Sequence, residues 1–283
     1  SVHASSHEYR QSFDERRTRT RAVKHLEAQA RLPGLNLPAL FADWGTISTA
    51  KYWGGTVRFD STGDNIFVDP AADTIDEALA LTPRPVDDPT MDASRGLRLF
   101  RDVSDALNTE RLWLRTPDMQ GPLNTAGLVM DQEAMLIAMY TEPKKVHTLL
   151  AHVTDFLIAY AAHLRAQTDE RICGNIWPYT FYPAERGLAL TEDLMPLLSA
   201  DLYKTFGIPP LKRVANAFGG LHIHCCGNWG RHAQSLSDAG LTIDAVEFHY
   251  PATTLEELEP LISDTVMIPY ILLHKQEEFR STT

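Results

Sequence analysis

Short apolar runs alternate with stretches of helical spacing along most of the chain. LPALFADWG, RLWLRTPDMQGPLNTA, RICGNIWPY, LHIHCC, IDAVEFHY and TVMIPYILL predict six buried strands. YWGGTVRFDSTGDNIFVDP carries two β-rich runs around STGD and predicts a hairpin after the first strand. Between the strands, DASRGLRLFRDVSDAL, the segment from Asp131 to Tyr140, WGRHAQSLSDAG closed by Gly240, and LEELEPLI predict helices. A longer helix starts near Glu142, where Val146, Leu149, Leu150, Val153, Leu157 and Tyr160 form an apolar stripe that reads as core. The acidic LTEDLMPLLSADLYKTFG and the following IPPLKRVANAFGG predict two helical pieces separated by Pro209 and Pro210.

Strands alternating with helices mean βα units and a parallel sheet. With 283 residues, the chain has the length of an α/β (β/α)8 TIM-type barrel. Six barrel strands are countable and a closed barrel needs eight, so one or two are missed or absent, and the expected barrel is incomplete toward its C-terminus. The predicted division is an N-terminal helical arm over 1–34 and a barrel domain over 35–283. An open doubly wound sheet is the alternative, weakened because no Gly-rich dinucleotide fingerprint follows the first strand.

Composition narrows the function classes. Hydrophobic residues make up 44% of the chain, enough for a full core, and the formal charge is −11. An acidic chain is a poor partner for nucleic acid. Basic residues crowd only the first segment (Arg10, Arg16, Arg17, Arg19, Arg21, Lys24). That pattern reads as a solvated helix face, or as an arm for an anionic ligand or a second subunit in a homodimer. No apolar stretch is long enough to span a bilayer. Three cysteines (Cys173, Cys225, Cys226) make no disulfide framework and suit a reducing cytoplasm.

In parallel barrels the chemistry gathers at the C-terminal ends of strands. Those ends carry Asp43, then Asp118 and Gln120, then Trp177 and Tyr179, then His224 and Cys226, then Glu247 and His249. Asp43, beside Phe41 and Trp44, is a candidate proton donor or cation-binding group, or else a loop cap. Asp118, Gln120, Trp177, Tyr179 and His249 are candidate substrate-binding residues. Asp131 and Asp193 read most simply as helix-start residues.

GGLHIHCCGNWG is the densest stretch. Strand alternation puts His222, His224 and Cys226 on one face and Cys225 on the other. An imidazole beside a thiolate suits zinc, but two ligands do not hold it; catalytic zinc has three protein ligands and an open position. Glu247 and His249, at the end of the next strand, are third-ligand candidates. Cys173 lies at the wrong end of its strand. The plainer reading, a hydrogen-bonded core histidine and a small buried thiol, stays open on spacing alone.

LFADWGTISTAKYWGG, PDMQGPLNTAGLVMD and LLSADLYKTFGIPPLKRVANAFGGLHIHCCGN together resemble the uroporphyrinogen decarboxylase superfamily, in the same order, from about Leu35 onward. The resemblance implies a (β/α)8 barrel with its site at the C-terminal mouth, and one of two chemistries. In the decarboxylases, which use no cofactor, Asp43 matches the essential aspartate. However, the Arg-rich N-terminal loop is missing, GPLNTAGL lacks the expected tyrosine, and the C-terminal histidine would lie beyond Thr283. In the zinc-dependent methyltransferases, which move methyl groups between corrinoid proteins, small methyl donors and thiols, HIHCCGN looks like the His-x-Cys-Gly motif. His224 and Cys226 then become the zinc ligands. That branch takes its third ligand from a cysteine on a later strand, past Thr283, and Glu247 is the substitute within this chain.

The expected function is therefore zinc-dependent methyl transfer from a corrinoid or small methyl donor to a thiol. A tetrapyrrole decarboxylase using Asp43 is the alternative, and a non-catalytic barrel used for binding or assembly is the second alternative.

Overall fold

The computed structural model describes residues 19–20, 23–24, 26–27, 39–41, 45–61, 65–176 and 180–271. The expected arm over 1–34 falls almost wholly outside them; its described residues are helical, and Leu26 joins the main core.

The fold is mixed α/β. Among the described residues the ten strands are β1 (Ala39–Phe41), β2 (Thr56–Phe59), β3 (Ile66–Asp69), β4 (Trp113–Arg115), β5 (Ile172–Ile176), β6 (Thr180–Pro183), β7 (Leu188–Thr191), β8 (Leu221–Cys225), β9 (Ile243–Tyr250) and β10 (Val266–Ile271). β4 lies between β1 and β5, parallel to both, and β6 turns back antiparallel on β5. β7, β8, β9 and β10 form a second, wholly parallel arc. A parallel bridge between Gln120 and Thr191 stitches the segment after β4 to the end of β7. The β2–β3 hairpin follows β1 as expected.

All six strands expected from the apolar runs are present. β7 is the parallel strand that the pattern missed. LALT is four residues long, buried throughout, and lies directly behind β6, so it shows neither alternation nor length. Gly187 enables its entry. It has φ +134°, and a Cβ there would collide with the Gly220 backbone, so only glycine permits this approach.

The principal helices are α1 (Ile75–Ala80), α2 (Asp92–Leu107), α3 (Pro122–Val129), α4 (Gln132–Thr141), α5 (Pro143–Gln167), α6 (Ile208–Phe218) and α7 (Ala233–Asp238). α1 opens on a reciprocal capping box between Thr74 and Glu77. Asp131 caps α4 by accepting the Ala134 amide at 2.8 Å, as its helix-start reading requires. The α5 stripe is buried along its whole length. Each fully buried leucine or valine there contributes roughly 1.5–3 kcal/mol. No described helix is both long and apolar enough to cross a membrane.

Two helix expectations change. Pro209 and Pro210 do not separate two pieces; they occupy the first turn of α6, where missing amides cost nothing. A π-helical turn, Tyr203–Gly207, runs directly into them. LEELEPLI forms turns and a short 3-10 segment, Glu259–Leu261, rather than an α-helix.

Candidate metal centre

Register builds the site row by row. Across the second arc, Thr191 pairs with His224, His224 with Glu247 and Glu247 with Ile268. Residues opposite one another in parallel strands share a face. Two residues further along lie Asp193, Cys226, His249 and Tyr270, at the strands' C-terminal ends. Leu221, Ile223 and Cys225 of β8 join the hydrophobic core instead.

Among the described residues, Asp193, His224 and Cys226 offer one oxygen, one nitrogen and one sulfur, all within 4.8 Å of one another. His224 is nearly buried, Asp193 half-buried and Cys226 exposed, so the group opens outward. Asp193 does not start a helix. Its Oδ1 accepts the Cys226 amide at 2.8 Å, locking the ends of β7 and β8 together. The sequence held a weak signal for it. LALTED has the same form as LFAD and IHCC, a short apolar run that ends in ligating groups, but the surrounding acidic segment read as helix.

Glu247 is fully buried and stands outside this group of three. Its Oε1 lies 3.2 Å from His224 Nδ1. A carboxylate on one ring nitrogen fixes the tautomer and leaves Nε2 as the ligand atom. Burial pulls the His224 imidazole down. Hydrogen bonds to Cys226 and Glu247, and the charges of Glu247 and Asp193, outweigh that pull and raise it to about 10. His222, one layer below, is buried with neither ring nitrogen bonded among the described residues, and burial pushes it down to about 4. His249 stacks edge-on to His224 at 5.6 Å and lies 5.0 Å from the Tyr270 ring. Burial, with the His224 charge, lowers its pKa, and its Nε2 has no hydrogen bond among the described residues.

Asp118 and Gln120 meet the site from β4's side. Thr191 Oγ1 and Gln120 Nε2 both donate to Asp118 Oδ1, at 3.0 and 3.1 Å. Asn124 Nδ2 donates to Gln120 Oε1 at 2.8 Å, and Asn124 Oδ1 accepts the Leu194 amide at 2.8 Å. This chain of bonds braces the turn that carries Asp193. Asp43, Trp177 and Tyr179 lie outside the described residues.

Cys173 is remote and inert. Its thiol is buried, 3.7 Å from the Leu114 carbonyl, and burial pushes it up to about 12. Cys225, next to Cys226 in sequence, is fully buried, and its pKa is raised, chiefly by burial. The sequence pattern does not single out Glu192. It is fully buried and neither carboxylate oxygen has a hydrogen-bond partner among the described residues. Burial, against the Leu123 amide and with the Asp193 charge, raises it to about 8.

A solved methyltransferase from Methanosarcina mazei shares this fold, with a TM-score of 0.66 over 89% of this chain and 68% of that one, at 13% identity. No protein-family model matches the chain, and no curated protein matches it.

Proposed function

We propose that this chain is a metal-dependent methyl-transfer enzyme on a (β/α)8 barrel of the uroporphyrinogen decarboxylase type, with zinc held by Asp193, His224 and Cys226. The observation that carries the reading is the convergence of one carboxylate, one imidazole and one thiol within 4.8 Å at the ends of adjacent parallel strands. That mixed donor set fits zinc, and three protein ligands are the catalytic number. The buried Glu247 behind His224 is the outer partner that such a ligand needs. A methyltransferase with the same fold supports the reaction class.

Zinc held there would lower the pKa of a coordinated thiol and so supply the acceptor in its nucleophilic thiolate form, with the demethylated donor as the leaving group of the transfer. The protein's own groups do the rest. Glu247 holds the His224 ring in one tautomer. Asp193 ties the β7 turn to the Cys226 amide. His249, with an unbonded nitrogen beside His224, lines the mouth where acceptor and donor meet. Substrate contacts from Asp118 and Gln120 are secondary in this reading, because their polar atoms are engaged in bracing the turn. The methyl donor is a methylated corrinoid, free or on a partner protein, or a small methylated compound.

The test is metal analysis of protein purified without added metal, with an assay of methyl transfer from methylcobalamin to a small thiol. One zinc per chain and zinc-dependent formation of the thioether are expected, with both lost in Cys226→Ala. Zinc content that Cys226→Ala leaves unchanged would overturn the assignment, as would thioether formation unaffected by chelation. Release of carboxyl groups from uroporphyrinogen, abolished by Asp43→Ala, would favour the decarboxylase instead.

A further inference from the structure

Glu192 sits between a ligand and a strand, yet its carboxyl packs on the helix side of the sheet. A Cβ on Gly121 would collide with its Oε1, so the carboxyl lies directly on the Gly121 backbone at the start of α3. Its main chain is held as firmly. The Glu192 amide donates to the His224 carbonyl at 2.8 Å, and its own carbonyl accepts the Met195 amide at 3.1 Å. One residue earlier, the Thr191 carbonyl accepts the Gly121 amide at 2.8 Å. Glu192 therefore links β7, β8 and α3 at the root of the turn that presents Asp193.

A second group points to the same place. Tyr203 opens the π-helical turn and is fully buried, with its hydroxyl unbonded among the described residues. That hydroxyl feels the charges of both Glu192 and Cys225. Gly207 lets the ring fold back, since a Cβ there would collide with the Tyr203 ring. The His232 ring lies tilted against the Tyr203 ring, with centroids 4.7 Å apart. π-helical turns frequently mark functional sites. A buried hydroxyl left without a partner costs about 1–3 kcal/mol, and a water between it and the Glu192 carboxyl would satisfy it.

We infer that Glu192 is a positioning residue for Asp193, its carboxyl wedged against α3 and shared with the Tyr203 hydroxyl across one bound water. Its consequence for metal affinity rests on the metal-site reading above; its geometric claim does not. The two groups set the turn so that Asp193 faces His224 and Cys226.

The Cys226 amide reports this directly, because its partner is Asp193 Oδ1. Hydrogen exchange of that amide is followed by NMR in metal-free protein for wild type, Glu192→Gln, Glu192→Leu and Tyr203→Phe. Wild type and Glu192→Gln are expected to protect it alike, since the amide keeps the shape and both bonding senses of the carboxylic acid. In Glu192→Leu the Cys226 amide exchanges about ten-fold faster, while amides at Leu149 and Leu157 in α5 stay as in wild type, marking a local effect. Tyr203→Phe moves it in the same direction by a few-fold, and covers the case in which Glu192→Leu does not fold. Unchanged Cys226 exchange in a folded Glu192→Leu or Tyr203→Phe overturns the inference. Zinc titration of the same proteins separates the two claims. Glu192→Leu is expected to weaken zinc 10–100-fold with rescue in Glu192→Gln. A wild type that binds no zinc overturns the metal reading and leaves the exchange result to decide the positioning role.

Discussion

Two polar groups face each other across the Gln120–Thr191 bridge, and they are built on opposite principles. On the β4 side, Asp118, Gln120, Asn124 and Thr191 satisfy one another in a continuous chain of hydrogen bonds that ends on the Leu194 amide. On the β7–β9 side, Glu192 and His249 keep polar atoms without a hydrogen bond among the described residues, His224 is pushed far above an ordinary imidazole, and Cys226 is exposed. Satisfied buried networks rigidify a fold; perturbed and unpaired groups gather where chemistry occurs. In the proposed function the first group is a brace and the second is the working site. Three residues of the chain's three-cysteine set make the same point on one scale. Cys173 and Cys225 are buried with raised pKa values, while Cys226, adjacent to Cys225, stands open beside an imidazole and a carboxylate.

The sharpest way to break this comparison is to remove a ligand. His224→Ala and Cys226→Ser are each expected to weaken zinc by more than about 100-fold in competitive chelator titrations, beyond the range of an outer partner. Comparable losses from variants of the brace would erase the distinction. Next, Glu247→Gln keeps the shape but not the charge behind His224, and a 10–100-fold loss of zinc affinity is expected in the same titration. The brace should respond in the opposite sense. Asn124→Ala leaves the Leu194 amide and Gln120 Oε1 without these partners, so urea unfolding should report about 1–3 kcal/mol of lost stability. Zinc affinity is expected to stay within roughly three-fold. The smallest effect is a pH slope. Burial, then the Arg231 charge, depresses the His232 imidazole to about 4. Between that value and its ordinary 6.5 the unfolded chain binds the extra proton. The neutral ring's contribution is therefore complete above about pH 6.5 and shrinks as pH falls toward 4. Metal-free protein should lose about 1 kcal/mol from this group between pH 6.5 and 5.5. In His232→Gln that part of the slope disappears.

The parallel strands and the hairpin were legible because each is a short apolar run with turn residues on both sides. β7 was hidden by its shortness and by the reversal of β6 just before it. With β7 went its strand-end residues, so Glu192 and Asp193 looked like the acidic start of a helix. His224 and Cys226 were legible from strand alternation, since the imidazole and thiol two residues apart fall on one face. Glu247 was legible as a neighbour but not as a role. The register puts it opposite His224, and the 3.2 Å contact to Nδ1 supports the orienting role proposed for it. Pro209 and Pro210 misled for a similar reason. A proline pair reads as a break, but the π-helical turn before it makes it a start.

The most direct test of the central claim is zinc K-edge absorption on protein loaded with one equivalent of zinc. The account predicts one sulfur near ~2.3 Å with nitrogen and oxygen neighbours near ~2.0–2.2 Å, and loss of the sulfur shell in Cys226→Ser. A first shell without sulfur in the wild-type protein, or a sulfur shell that survives Cys226→Ser, would contradict it.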